Sequence, residues 1–378
     1  MSNIDNKTTE ATPVFFRAID RYVETNIVPA TEVKLRGKDR ITWGEQDKYP
    51  SYILSLYRDV ATLGSIVNGC VDYAAGNAVT LVSPLFPEGK CNRKGELAVD
   101  VLRGAALDYF LFGGFALEVI RGRDGNPVEI YNLDMEDVRT NEDVSVFWWS
   151  DKWDKGARAG DITEYPAFMP NLDWARLTDE ERDRHAASVL YVKNSRKQVY
   201  PMPPFAQAVK ACETERSIDV FHLNSIKNGF SADVMVTLCN GDPPDTIKEE
   251  IERDFREKFA GETNAGRMML TFSPDRQHAA VVQPLKVEDF GNRYEALASR
   301  CRQQIFTSFR ANENLFGIPT AQGFNSEEYA EAFKLFNRTQ IQPAQQRIAD
   351  AFDRICGQQG VLTITPFSLE DAGATIVQ

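Results

Sequence analysis

The strongest constraint in this chain is a stretch near its C-terminal end, residues 288–357, in which two long helical patterns flank a loop rich in Asn, Gly, Pro and Gln. In the first pattern Phe290, Tyr294, Leu297, Cys301, Ile305 and Phe309 recur at spacings of three and four, the period of one apolar helical stripe. Arg293, Arg300 and Gln304 fall on another face. The second pattern opens on Asn325 or Ser326 as an N-cap, with Glu327 and Glu328 placed to offset the positive end of the helix dipole. Tyr329, Phe333 and Phe336 form a first apolar face, Ala344, Ile348, Phe352 and Ile355 a second, and Gly357 suits the C-terminal cap. Between the two faces Pro343 removes an interior N–H, which predicts a kink. A kinked helix beside a polar loop reads as a mechanical part rather than a catalytic pocket.

Composition narrows the class. With 378 residues, 43% apolar and 26% charged, the chain can fill one large domain or a few ordinary ones. No apolar run reaches membrane-span length, and residues 1–13 read as a disordered lead-in. The six cysteines are scattered without a C-x-x-C pair, which predicts buried reduced thiols. The net charge of −12 argues against a protein that grips nucleic acid by counterion release, though not against one that surrounds it and lets it pass.

Periodicity orders the rest. A short amphipathic arm covers residues 14–28, and 41–50 reads as a loop punctuated by Gly and Pro. Helices are expected at 51–58, 62–75 and 94–112, the last with Leu97, Val101, Leu102, Ala105 and Tyr109 inward. Beyond Gly113–Gly114 the period changes to two, with a hairpin turn at Asp124–Gly125, and strands are expected at 78–82, 144–149 and 189–193. Residues 150–187 read as loop with one helical piece at 178–187. A helix from Pro203 or Pro204 to Lys227 precedes a small insert with strands at 233–238, 267–272 and 279–283 and a helix at 245–259. Two long helices thus bracket a small α/β module.

The residues that usually carry chemistry are dispersed. His185, His222 and His278 stand apart, and no phosphate-binding loop, G-x-S-x-G or H-E-x-x-H occurs. Carboxylates such as Asp134, Glu136 and Asp137 could ligate a cation, against the simpler reading of a solvated loop. Trp148, Trp149 and Trp153 are either base-stacking aromatics or packing residues. These residues point away from an enzyme and from any cofactor.

Several fragments, taken in order over residues 33–366, make the chain resemble the portal proteins of long-tailed double-stranded DNA phages. They are Trp43-Gly-Glu-Gln-Asp-Lys-Tyr-Pro50, Gly113-Gly-Phe-Ala-Leu-Glu118 with its hairpin, and Tyr200-Pro-Met-Pro-Pro204 before a long helix. Phe316-Gly-Ile-Pro319, Asn325-Ser-Glu-Glu-Tyr329 and Gln340-Ile-Gln-Pro343 follow. The resemblance implies an α+β, portal-type fold: an α/β wing (14–202 with a last strand in 358–378), stem helices at 203–229 and 287–309, and a clip at 230–286. A tunnel loop at 310–325 and a kinked tunnel helix at 326–357 complete it, with the C-terminal crown short or absent.

It also implies a ring, usually of twelve copies, at one capsid vertex in the virion, assembled in the host cytoplasm with no membrane involved. The ring is the conduit for DNA packaging and ejection. The implied partners are the terminase large subunit, the major capsid protein, head–tail connector proteins and double-stranded DNA that passes without sequence readout. Candidate DNA-facing residues are Arg300, Arg302, Arg310, Asn312, Asn314 and Gln322, with intersubunit ion pairs as the alternative role for the arginines. Lys248, Arg256 and Glu257 are candidates for docking the motor. The competing readings are an oligomeric head-assembly or adaptor protein that conducts no DNA, and a metal enzyme built on Asp134, Glu136 and Asp137.

Overall fold

A computed structural model of the chain describes residues 27–34, 39–227, 234–238, 268–272, 290–316 and 326–367, with Pro244, Thr246, Ile247 and Glu250 in addition. The first elements depart from expectation. Ile41–Trp43 (β2) is a strand, not a loop, and pairs antiparallel with Glu32–Lys34 (β1). All three of its residues are buried, so no polar–apolar alternation marks it. Two helices follow, Tyr49–Asp59 (α1) and Ala61–Ala75 (α2), then strand Ala78–Leu81 (β3).

The third helix, Ala98–Phe112 (α3), starts four residues later than the pattern predicts. Asn92 explains the delay: its side-chain oxygen accepts from the Lys94 and Glu96 N–H groups and holds 92–96 as a loop. Asp100 then accepts from the Leu97 N–H and caps the helix, which leaves Leu97 exposed rather than inward.

Strands Gly114–Arg121 (β4) and Pro127–Leu133 (β5) form the expected hairpin, with Gly125 at φ 84 in its turn. Strand β4 is central, flanked by β5 and by Ala187–Lys193 (β9), and its first four residues are buried without interruption. Val138–Thr140 (β6), Val146–Trp149 (β7) and Thr163–Pro166 (β8) make a second antiparallel sheet; β6 and β8 are too short to show a period. Helix Asp179–His185 (α4) starts from a capping box between Thr178 and Glu181.

Helix Val209–Lys227 (α5) begins after a 3-10 turn at Ala206–Ala208, later than Pro203. Of the insert, Val234–Leu238 (β10) and Met268–Phe272 (β11) are described and pair in parallel, a geometry that requires a crossover connection. The predicted helix at 245–259, apart from the few residues named above, and the strand at 279–283 lie outside the described residues, as does the arm at 14–26. Helix Phe290–Ser308 (α6) returns beside α5: Phe205 stacks on Phe309 and Phe221 on Tyr294, so the two helices run antiparallel.

The second long helix of the opening pattern is three pieces: Ser326–Phe336 (α7), a π-helical turn Asn337–Ile341, and Gln342–Cys356 (α8). The expected kink at Pro343 is thus taken up by a π turn just upstream, while Pro343 sits in the first turn of α8, where its missing N–H costs little. Gly357 ends α8 in the left-handed conformation, and Asp353 accepts from the Gly360 and Val361 N–H groups. The chain then returns as Leu362–Thr365 (β12), antiparallel to β3. The cysteines described, Cys70, Cys91, Cys212, Cys301 and Cys356, are all free thiols, the first four buried.

Candidate channel face and the junction that carries it

Three of the sequence fragments singled out above meet at one buried junction. Arg139, on β6 and 1% exposed, donates Nε to Asp47 Oδ1 at 2.9 Å and Nη2 to the Asp47 carbonyl at 3.1 Å. Its Nη1 is taken by the carbonyls of Glu136 at 2.6 Å and Val138 at 2.9 Å, so the buried guanidinium has partners on all sides. Asp47 also accepts from the Trp43 N–H at 2.9 Å, and Arg40 places Nη1 3.2 Å from Asp47 Oδ2, an ion-pair distance off the line of a hydrogen bond. The turn that presents Asp47 is strained, with Gln46 at φ 54 and Asp47 at φ 61.

Tyr200 closes the junction: its ring stacks on Trp43 at 4.5 Å, and its hydroxyl donates to the Ile41 carbonyl and accepts from the Thr140 N–H. Trp153 covers it from outside, with Arg40 4.2 Å and Arg139 5.3 Å from its ring. Gly113 packs so close that a Cβ there would lie 2.1 Å from the Met202 carbonyl oxygen. The fragments around Trp43, Gly113 and Tyr200 are therefore parts of one lock. Trp153 is a packing residue of it, and Trp148 donates Nε1 to Glu164 on the neighbouring strand.

The C-terminal fragments converge on a second cluster, centred on Tyr73 of α2. The Tyr73 ring meets Phe316, Phe333, Phe336 and Phe367 with centroids 5.2 to 6.0 Å apart, and its hydroxyl donates to the Leu315 carbonyl at 2.7 Å. A Cβ on Gly69 would stand 2.5 Å from the Phe316 ring. The loop expected at 310–325 therefore begins inside the core: Leu315 is buried and Phe316 packed.

The candidate DNA-facing residues separate into three settings. Arg310 ends α6 at φ 51, exposed, and turns the chain towards the loop. Asn312 and Asn314 are half-buried in the turn that follows, where Asn312 Oδ1 accepts from the Asn314 N–H at 3.0 Å. Arg300 and Arg302 are both exposed on α6 but stand two residues, about 160°, apart, so they face opposite flanks of the helix. Among the described residues these three arginines make no ion pair. Gln322, Lys248, Arg256 and Glu257 lie outside the described residues.

The carboxylates at 134–137 form a 3-10 turn. Burial, then Glu136 and Asp134, pushes the Asp137 carboxyl up to about 7, and its carbonyl is already engaged by Ser150 N and Trp153 Nε1. Beneath it, burial raises the Asp108 carboxyl well above the ordinary carboxylate range. Among the described residues no group of three or more His, Cys, Asp or Glu side chains is placed to hold a metal ion, and no helix is long and apolar enough to cross a membrane.

Sequence reasoning misses Asp47, Arg139 and Tyr73, whose partners lie far away in the chain. A buried run such as Val138-Arg-Thr140 gives no periodic signal, and only the Trp43 fragment marked the place.

Comparison with known proteins agrees with this architecture. Two chains from gene transfer agent particles share the fold. One, from the virion of the native particle, has a TM-score of 0.53 and 16% identity, covering 83% of each chain. The other, from the neck of the empty particle computed with C6 symmetry, has a TM-score of 0.54 and 14% identity over 85% of each chain. An HK97-family phage portal protein from Corynebacterium diphtheriae is matched at a TM-score of 0.46 and 10% identity, over 87% of this chain and 96% of that one. No curated protein matches the chain in sequence. The family model of the phage portal protein matches residues 94–366, well over half of the chain, and the chain belongs to the phage portal protein family.

Proposed function

We propose that this chain is the subunit of a portal ring at one vertex of a capsid, the conduit through which DNA is packaged and later ejected. In this reading α5 and α6 are the stem, residues 230–286 the clip, residues 310–325 the tunnel loop and residues 326–357 the helix above the channel. Residues 14–202 form the wing, closed by the β12 strand on β3. The clip docks the terminase large subunit during packaging and head–tail connector proteins afterwards, with Lys248, Arg256 and Glu257 as its contacts. The wing meets the major capsid protein. Assembly takes place in the host cytoplasm and the finished ring resides in the virion.

The observation that carries the reading is the α5–α6 pair. At one end it is sealed into the wing by Phe205 on Phe309 and by the buried Cys212 and Cys301. At the other it leaves the core with Val220, Phe221, Leu223 and Leu297 open to solvent, as a stem awaiting neighbours would. The charge supports the reading: a net charge of −12 limits phosphate sticking as DNA passes. Arg310, Asn312, Asn314 and Gln322 are the residues we assign to the channel wall.

Native mass spectrometry and negative-stain imaging of the purified chain test the proposal. Closed rings of one subunit number are expected; a chain that stays monomeric under assembly conditions would count decisively against it. Rings that incorporate into capsids yet leave DNA packaging independent of changes at 317–322 would favour the adaptor reading.

A further inference from the structure

Two antiparallel helices packed along one stripe leave two flanks, and the flanks of the α5–α6 pair differ. Successive helical residues turn by about 100°, so residues two apart stand about 160° apart and residues three or four apart share a side. On one flank Phe221 stacks on Tyr294, Leu297 follows one turn later and Arg300 a turn beyond that; Lys210 lies on the Phe221 side of α5. On the opposite flank stand Asp219 and Leu223 of α5 and Glu295 of α6, with Arg302 two turns beyond Glu295.

The first flank thus offers an apolar pair with two cations, the second an apolar side chain with two carboxylates and one cation. The apolar residues are open to solvent: Leu223 is 51% exposed, Phe221 44% and Leu297 38%. The charged ones, Lys210, Arg300, Asp219 and Glu295, are exposed and pair with no described residue, although the same helix settles Arg216 on Glu213 at 2.7 Å and on Asp59 at 3.4 Å. Unsatisfied cations on one flank and unsatisfied carboxylates on the other are what a head-to-tail contact between identical subunits requires, since each copy must offer both halves.

We infer that these flanks are the two halves of one contact between copies of this chain, with Leu297 of one copy against Leu223 of the next and Arg300 against Asp219. The inference rests on the ring reading above and assigns Arg300 to the subunit boundary rather than to DNA.

Charge reversal and cross-linking of the full chain test it. Arg300→Glu and Asp219→Arg should each lower the ring fraction in native mass spectrometry by at least about tenfold, because like charges then meet across the contact. The double variant Arg300→Glu with Asp219→Arg should recover rings. A chain carrying Leu223→Cys and Leu297→Cys should give a ladder of subunit multiples on oxidation, while neither single variant does. Rings that form normally in both reversal variants and yield no ladder from the cysteine pair overturn this contact and leave the ring reading standing. A wild-type chain that forms no rings overturns both.

Discussion

The junction around Arg139 and the outer half of the α5–α6 pair are built on opposite terms. At the junction every strong group is satisfied within the chain: the guanidinium has carboxylate and carbonyl partners, and Trp43, Tyr200 and Trp153 enclose it. Along the helices Val220, Leu223 and Leu297 stand open to solvent, and Lys210, Asp219, Glu295 and Arg300 form no ion pair with a described residue. The junction is finished when the chain folds, whereas in the proposed ring the helical pair would be completed by other copies. Mutations should therefore separate into those that unfold a subunit and those that leave it folded but unassembled.

The largest effect should come from the junction. Arg139→Met leaves Asp47 buried beside a strained turn without its main counter-charge, and should cost about 3–5 kcal/mol in urea unfolding of the subunit. Retention of wild-type stability would mean the junction is not what holds these strands and helices together. Next comes Gly69→Ala, whose new methyl would meet the Phe316 ring at 2.5 Å; a loss of about 1–3 kcal/mol is expected, read as a lowered melting temperature. An unchanged melting point would show that the start of the 310–325 segment is not anchored there.

Smaller again is a pH effect. The folded Asp137 carboxyl titrates near 7 against an ordinary 3.8, so its contribution is fully present below the ordinary value and is lost as pH rises through about 7. Asp108 has the same sign. Asp137→Asn should therefore narrow the difference between urea midpoints at pH 5 and pH 8, and a variant as pH-sensitive as the wild type would contradict that. The smallest effect on folding belongs to the outer half of the α5–α6 pair: Val220→Ser, at a site 51% exposed, should change the stability of the chain by no more than about 0.5 kcal/mol while reducing the fraction of the proposed ring. A reversed pattern, stability lost with assembly intact, would erase the distinction between the two regions.

That distinction also decides what the sequence reveals. Helices α1 and α2 are plain in the periodicity because each has one covered face and enough length to repeat, and the β4–β5 hairpin is marked by its Asp124–Gly125 turn. Strand β2 is buried on every residue, β6 and β8 have three and four residues, and Asn92 delays α3 through side-chain bonds that no apolar period reports. The stripe from Phe290 to Phe309 is legible yet only partly buried within the subunit: Cys301, Ile305 and Phe309 are in the core, while Leu297 is not. A period of three and four tells that a face will be covered, not by whom. The lock formed by Asp47, Arg139 and Tyr200 joins residues 92 and 159 positions apart, a relation no local pattern holds.

The π turn at Asn337–Ile341 has a further consequence for how this helix can change in length. Its closing bond runs from the Gln342 N–H to the Asn337 carbonyl, one residue longer than an α-helical turn. The turn therefore holds one residue in surplus, with Phe336 before it, Ile341 at its end and Ala344 beyond it all buried. Deleting one residue from that turn converts it to ordinary α-helix and keeps both apolar faces in place, whereas a deletion elsewhere in 326–356 swings everything on one side by about 100°. The helix has a single position at which its sequence can shorten without losing its seat on α2.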